Sequence, residues 1–237
     1  MEIIKKESKP AKFCPGCGYY IILNSLGQVL EEKGLANKSI FMTDIGCNLL
    51  AWDYFNLPST QTHHGRTVAT ASGFKLTSPE KIVCCLMGDG GGYAIGLQNL
   101  IHACLRDTPL TIIVANNLDY SMTGGQVSPT TLTNQITDST PFGKDPKIQG
   151  QTFFGPELLA KIAHKKAFLA RTSSRKPQEM IAFLERAIET QENGHFSLIE
   201  VISACPLNWR LTGSLLLKRL EELEKVFPQG EIKGEIK

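Results

Sequence analysis

The chain has 237 residues, 42% of them apolar and 20% charged, with 21 glycines and 12 prolines. That mixture can bury a full core and is unlike disordered, collagenous or small disulfide-stapled chains. Lysine plus arginine number 25 against 23 acidic residues, a formal charge of +2, so there is no basic stripe to neutralise a run of phosphates and nucleic-acid binding is disfavoured.

Met1 to Lys12 is charged and lacks an apolar core segment, so it reads as an N-terminal extension rather than a signal peptide or anchor. Branched apolar runs at Ser39–Thr43, Lys81–Met87, Leu110–Ala115, Lys166–Ala170 and Ser197–Ser203 are short and bounded by Gly, Pro, Asn or charge, the pattern of buried strands. Helical spacing lies between them at Ile22, Leu26, Val29 and Leu30, at Leu97, Leu100, Ile101, Cys104 and Leu105, and at Ile181, Leu184 and Ile188. This alternation predicts one α/β domain over residues 13–213, a parallel twisted sheet flanked by helices, with ligands where loops leave the carboxyl ends of strands. Gly46–Ser72 and Leu118–Pro156 fit neither period and are long enough to be functional loops. Residues 214–237 are expected to form an amphipathic helix from Leu215 to Val226 and a mobile polar tail from Pro228. No stretch approaches the roughly 20 apolar residues of a membrane span, and a cytoplasmic protein without membrane contact is expected.

The first chemical signal is Gly88-Asp89-Gly90-Gly91-Gly92, directly after a strand and before a helix. Glycines there let the backbone approach an anion while a helix start offers unpaired amides, which suggests a phosphate site. The run is neither G-x-G-x-x-G nor a P-loop. Asn116-Asn117 ends the next strand, so in a parallel sheet Asp89 and the asparagines face one crevice. A carboxylate, an amide oxygen and backbone carbonyls are the hard ligands Mg²⁺ takes when it also binds phosphates. A capping Asp and a turn-forming Asn pair is the plainer alternative.

Seven cysteines, an odd number widely scattered, argue for metal or redox chemistry rather than a disulfide framework. Cys14-Pro15-Gly16-Cys17 opens the folded part, Cys47 follows the first strand and Cys205 the last, so four thiolates from three loops are available to one cluster. On spacing alone, a redox pair, a tetrathiolate zinc site or a turn remain open, and the ferredoxin-type cysteine run is absent. Cys84, Cys85 and Cys104 read as small buried hydrophobes.

The glycine turn, the paired asparagines, and the run Met122-Thr123-Gly124-Gly125-Gln126 with Ser128-Pro129-Thr130-Thr131 together resemble the 2-oxoacid:ferredoxin oxidoreductases, specifically their thiamine diphosphate-binding beta subunit. The resemblance spans Cys14 to Pro206. It implies the thiamine diphosphate-binding, pyrophosphate-type fold, with Asp89 and Asn117 ligating Mg²⁺ by side chains and Asp119 by its carbonyl. Gly90 and Gly91 would hold the diphosphate, and Tyr120, Met122, Thr123 and Gly124 would wrap it and the thiazolium, with Met122 facing the reacting carbon. Gly46, Cys47, Asn48, His64, Gly65 and Gly88 would complete the cofactor site, and His64 and Arg66 are candidates for the diphosphate or the substrate carboxylate. The resemblance also implies one 4Fe-4S cluster on Cys14, Cys17, Cys47 and Cys205.

The implied reaction is oxidative decarboxylation of a 2-oxoacid with coenzyme A to an acyl-CoA, CO2 and reduced ferredoxin. An activating glutamate would come from a pyrimidine-binding alpha subunit, so the chain is expected to act only with partners, gamma and delta subunits among them. Asn48-Leu49-Leu50-Ala51-Trp52 lacks the basic residue that some relatives offer a second carboxylate, which favours an apolar or branched 2-oxoacid such as 2-oxoisovalerate over 2-oxoglutarate, with pyruvate also open. The alternatives are a non-redox thiamine decarboxylase or carboligase subunit and a non-catalytic metal-binding interaction protein. Lys161, Lys165, Lys166, Arg171, Arg175 and Lys176 read as a solvated basic face or, more sharply, a landing site for an acidic ferredoxin. His102, His164 and His195 have no partner visible in the sequence and read as structural.

Overall fold

The computed structural model of the chain describes residues 3–6 and 12–234. In chain order the elements are α1 (Gly18–Glu32), β1 (Ser39–Thr43), β2 (Ser59–Gln61), α2 (Thr67–Thr77), β3 (Ile82–Gly88), α3 (Leu97–Leu105), β4 (Thr111–Asn116), β5 (Asp119–Tyr120), β6 (Gln126–Val127), α4 (Pro146–Gln149), α5 (Gly155–Ala160), β7 (Phe168–Ser173), α6 (Pro177–Glu192), β8 (Ser197–Ile202), α7 (Pro206–Trp209), α8 (Gly213–Val226) and β9 (Gly230–Lys233). A seven-stranded sheet runs in the order β2-β1-β3-β4-β8-β7-β9, and β5 and β6 form a separate hairpin. All pairs in the large sheet are parallel except β7 with β9. The order reverses about β1, with β2 on one side and β3 on the other, and such a switch point opens a crevice at the carboxyl ends.

Period-two alternation splits each central strand between two cores. Cys84, Leu86, Ile113, Ala115, Ile199 and Val201 face α1 and α6, packing with Ile22, Leu26 and Leu30 of α1 and Leu184 and Ile188 of α6. Val83, Cys85, Met87, Ile112, Val114 and Leu198 face the other way, against Val68 and Ala71 of α2 and Leu100 and Ala103 of α3. With both faces covered, β3 and β4 read as continuous apolar runs. A third cluster joins α8, through Leu216, Leu220 and Leu223, to Leu118 and Ile202. Burial pushes the Cys84 and Cys104 thiols up to about 12, as suits inert core residues.

Four expectations are corrected. The strand expected to end at Ala170 continues to Ser173, because Arg171 is fully buried and paired with Glu157 and Glu200; a charge inside a strand marks an ion pair here, not a boundary. The loop Gly46–Ser72 contains β2 and the first turns of α2. The tail from Pro228 is not free over its described part: Gly230–Lys233 pairs antiparallel with β7, and Pro228 O accepts from Arg171, while residues 235–237 lie outside the described residues. Of the N-terminal extension, residues 1–2 and 7–11 also lie outside them, but Ile3 is buried and Ile4 bridges to Phe55. A Cβ on Gly27 of α1 would lie 2.8 Å from Ile4 Cγ1, so the helix is bare where this segment crosses it. Among the described residues no helix is long and apolar enough to cross a membrane.

Candidate active site

Three strand ends supply the site. Asp44 follows β1, Asp89 follows β3 and Asn117 follows β4, and the parallel register that sets Thr43 beside Leu86 and Gly88 beside Ala115 brings them to one edge. A cleft of about 100 Å³, open to solvent, lies there. Of the sequence-predicted residues, Gly46, Cys47, Asn48, His64, Gly88, Asp89, Gly90, Gly91, Asn117, Asp119, Tyr120, Met122 and Thr123 line it. Gly65 and Gly124 flank it, and Arg66 is exposed at the start of α2 and does not line it.

Asp89 is buried and densely held. Its Oδ1 accepts from Gly90 N at 2.9 Å, and its Oδ2 accepts from Ser128 Oγ at 2.6 Å and Thr130 Oγ1 at 2.8 Å. Burial nevertheless pushes its carboxyl up to about 7, opposed by those hydroxyls and aided by the nearby Asp119. Burial also raises Asp119, against hydrogen bonds from Ser121 Oγ at 2.6 Å and Asn208 Nδ2 at 3.1 Å. Asn117 donates to Ser121 Oγ, and its carbonyl accepts from Trp209 Nε1 at 3.0 Å. A buried carboxyl such as Asp89 that resists ionisation is suited to a divalent cation, which would hold it charged.

The glycine run is shaped by its neighbours. A Cβ on Gly91 would lie 2.2 Å from Asp44 Oδ2, one on Gly90 would lie 2.7 Å from the Tyr120 ring, and one on Gly96 would lie 2.2 Å from Gly91 O. Gly91–Ile95 forms a single wide π-type turn before α3. On the facing wall, Tyr120 leads into the 3-10 turn Ser121–Thr123, and Gly124 and Gly125 reverse the chain at φ +114° and +91°. Met122 is 44% exposed on the rim of the cleft.

Sequence reasoning missed the residues behind this lining. Asp44, fully buried, accepts from Asn48 Nδ2 at 2.6 Å and Gly65 N at 2.8 Å, and pairs with His64 Nδ1 at 3.0 Å. A strand-terminal Asp just before Ile45-Gly46-Cys47 was the available signal. Lys144 is equally hidden: its Nζ, fully buried, donates to Pro129 O at 3.0 Å and Thr131 O at 2.9 Å, pinning the Ser128–Thr131 turn that holds Asp89.

The four predicted cluster cysteines converge beside the cleft. Cys17 N donates to Cys14 O at 2.9 Å in a tight turn, and Gly18 N donates to Ala204 O at 3.0 Å. A Cβ on Gly18 would lie 2.3 Å from Ser203 Oγ, so only glycine lets that turn lie against the Cys205 segment. Cys205 Sγ donates to Ser121 Oγ at 3.6 Å, which ties it to the wall of the cleft. Burial pushes the Cys17 thiol up to about 12, with Cys205, Cys47 and Cys14 adding repulsion, and burial together with Cys205 and Cys14 does the same to Cys47.

Half of the basic concentration is taken up in ion pairs. Arg171 is buried, Arg175 pairs with Glu221 and Glu224, and Lys176 approaches Glu179 and Glu224. These three residues are neutralised locally and do not form the free cationic face that an acidic partner would need.

A doubly covered parallel sheet with a glycine turn and acidic and amide side chains at its switch point defines a diphosphate-binding α/β domain. Residues 44–201 match the family model of the thiamine pyrophosphate enzymes, C-terminal TPP-binding domain. The chain is 35% identical over 224 residues to 2-oxoglutarate synthase subunit KorB of Archaeoglobus fulgidus, covering 93% of this chain and 79% of that one. It is 34% identical over 221 residues to ketoisovalerate oxidoreductase subunit VorA of Methanothermobacter thermautotrophicus, covering 91% of this chain but only 46% of that one, so it spans about half the length of such relatives. The fold matches a 2-oxoglutarate:ferredoxin oxidoreductase from Magnetococcus marinus, solved with 2-oxoglutarate, coenzyme A and succinyl-CoA, at a TM-score of 0.82 and 22% identity, over 99% of this chain and 84% of that one. The chain belongs to the thiamine pyrophosphate enzymes and, among them, to the 2-oxoacid oxidoreductase beta subunits represented by KorB and VorA.

Proposed function

We propose that the chain is the catalytic beta subunit of a CoA-acylating 2-oxoacid:ferredoxin oxidoreductase, holding thiamine diphosphate, Mg²⁺ and one 4Fe-4S cluster. The observation that carries this reading is that Cys47 lines the cleft containing Asp89, Asn117 and Asp119 while the thiols of Cys14, Cys17 and Cys205 lie close enough to it to oppose ionisation. The residues fit the groups. Asn48 Oδ1 is buried with no hydrogen-bond partner among the described residues and lies near Gly46 and Gly88, an acceptor suited to a donor on a bound cofactor. Four crowded thiols suit a cluster that takes them as thiolates and releases their protons.

When bound, thiamine diphosphate supplies carbanion and electron-sink chemistry at the keto carbon, and the cluster supplies one-electron transfer. The chain positions these groups. Asp89 and Asn117 hold Mg²⁺ by side chains and Asp119 by its carbonyl, Gly90 and Gly91 hold the diphosphate, and Tyr120, Met122, Thr123 and Gly124 close over it. Buried Asp44 lies 3.0 Å from His64 Nδ1 and orients the imidazole, whose Nε2 would then be available to the cleft. Arg66, exposed nearby, is the candidate for an incoming carboxylate. Ile45 and Met122 on the lining, and the absence of any basic residue in Asn48–Trp52, favour an apolar or branched 2-oxoacid. No glutamate is among the described residues lining the cleft, in keeping with an activating carboxylate from a pyrimidine-binding alpha subunit; ferredoxin accepts the electrons, and gamma and delta subunits complete the assembly.

The test is metal, sulfide and thiamine analysis of the full chain purified anaerobically with its co-expressed neighbours. About four irons and four sulfides per chain are expected, with iron lost on Cys205→Ser and thiamine diphosphate lost on Asp89→Ala. Zinc in place of iron, or iron unchanged by Cys205→Ser, would contradict the assignment.

A further inference from the structure

At the opposite edge of the sheet, β4, β8 and β7 lie side by side in parallel, so the segments leading into them meet. Asp107 precedes β4, His195 precedes β8 and His164 precedes β7. One oxygen, Asp107 Oδ2, lies 2.6 Å from His195 Nδ1 and 3.2 Å from His164 Nδ1. The two imidazoles stack with centroids 5.2 Å apart and planes 16° from parallel. Asp107 is fixed by the backbone: it sits at φ +51°, and its Oδ1 accepts from Phe196 N at 2.9 Å. All three ligand atoms lie within 4.8 Å of one another.

Three metal-ligand atoms from three separate strand entries thus converge on one point, and Lys166 N lies 3.4 Å from His164 Nδ1.

We propose that Asp107, His164 and His195 form a second metal site, distinct from the thiamine and cysteine sites, that binds one divalent transition metal of the zinc class. Two imidazoles and one carboxylate are borderline donors that select zinc and its neighbours over Mg²⁺ or Ca²⁺. Zinc bonds of about 2.0–2.1 Å in tetrahedral geometry set ligand atoms about 3.3 Å apart. The His164–Asp107 separation of 3.2 Å already matches, and His195 at 2.6 Å needs to withdraw by about 0.7 Å. His164 is 43% exposed and the other two 20%, which gives the metal an entry path and leaves a coordination position to water. The ion staples three strand entries that are remote in sequence, on the side of the sheet away from the proposed chemistry.

Cobalt(II) titration of the full chain tests this, because cobalt bound by imidazole and carboxylate shows weak visible bands without the intense near-ultraviolet band of cobalt thiolate. One equivalent with the thiolate-free spectrum, displaced by zinc, is expected, together with a rise in melting temperature on zinc addition. His164→Ala, at the most exposed ligand, is expected to abolish the signal while leaving the circular dichroism spectrum and iron content unchanged. Asp107→Asn should weaken binding by more than the roughly 10–100-fold that loss of a partner behind a metal ligand costs. A thiolate spectrum alone, or an identical thiolate-free signal in wild type and both variants, would overturn the proposal.

Discussion

Replacing Ser128 by alanine probes how the central carboxylate is kept ready for a cation. Ser128 Oγ donates to Asp89 Oδ2 at 2.6 Å. Thr130 Oγ1 lies 2.8 Å from that oxygen but also 2.8 Å from Asn116 Oδ1, and its single proton serves one acceptor at a time. A hydrogen bond to a charged group is worth about 1.5–3 kcal/mol, which at about 1.36 kcal/mol per pKa unit raises Asp89 by about one to two units. Starting from about 7, the variant carboxyl is mostly protonated at neutral pH and must lose that proton to bind metal. Affinity for Mg²⁺ with thiamine diphosphate is therefore expected to fall about ten-fold at pH 7 and to return nearly to wild type above about pH 9, where both forms are ionised. Calorimetric titration across pH measures this, and Trp209, bonded to Asn117 O, offers a fluorescence signal. An equal loss at every pH would mean that Ser128 acts through shape, and no loss at any pH would remove it from the site.

Three further outcomes follow from the same geometry. Gly91→Ala sets a Cβ 2.2 Å from Asp44 Oδ2, and the forced shift should destabilise the fold by about 1–3 kcal/mol and abolish cofactor binding, as read by denaturation and titration. Lys144→Met strands at least two buried carbonyls, so a loss of about 2–5 kcal/mol is expected from leaving them unpaired, with weakened Mg²⁺ binding because the Ser128–Thr131 turn loosens. Asp89 is raised in the folded chain, so its neutral form is the one the fold favours. Its penalty is absent below the ordinary carboxylate range and grows until about pH 7. Without cation, wild type should thus lose stability over that window while Asp89→Asn does not, and excess Mg²⁺ with thiamine diphosphate should remove the difference.

The central strands were legible because burial on both faces leaves only apolar residues, as in Ile82–Met87 and Ile112–Ala115. Strand ends were less so: Arg171 looked like a boundary until its partners Glu157 and Glu200, from distant segments, made it a core residue. The Gly230–Lys233 strand was hidden by polarity, since an edge strand over an open flank needs no apolar run. At the site, the lining was legible because glycines, Asp89 and Asn117 are short motifs beside strands. Asp44, Lys144 and the hydroxyls on Asp89 act across long sequence separations, and no spacing announces them. His164 and His195 looked structural for the same reason, their common partner Asp107 being brought to them only by the parallel order of β4, β8 and β7.

On the proposed function, one chain holds both a thiamine site and an electron-accepting cluster. This is tested most directly by adding a panel of 2-oxoacids with coenzyme A to the anaerobic complex and following visible absorbance. Bleaching of the cluster absorbance is expected, fastest with an apolar or branched 2-oxoacid, absent in Asp89→Ala, and reversed by oxidised ferredoxin. A cluster that no 2-oxoacid bleaches in the cofactor-loaded complex, or decarboxylation that leaves the absorbance unchanged, would contradict it.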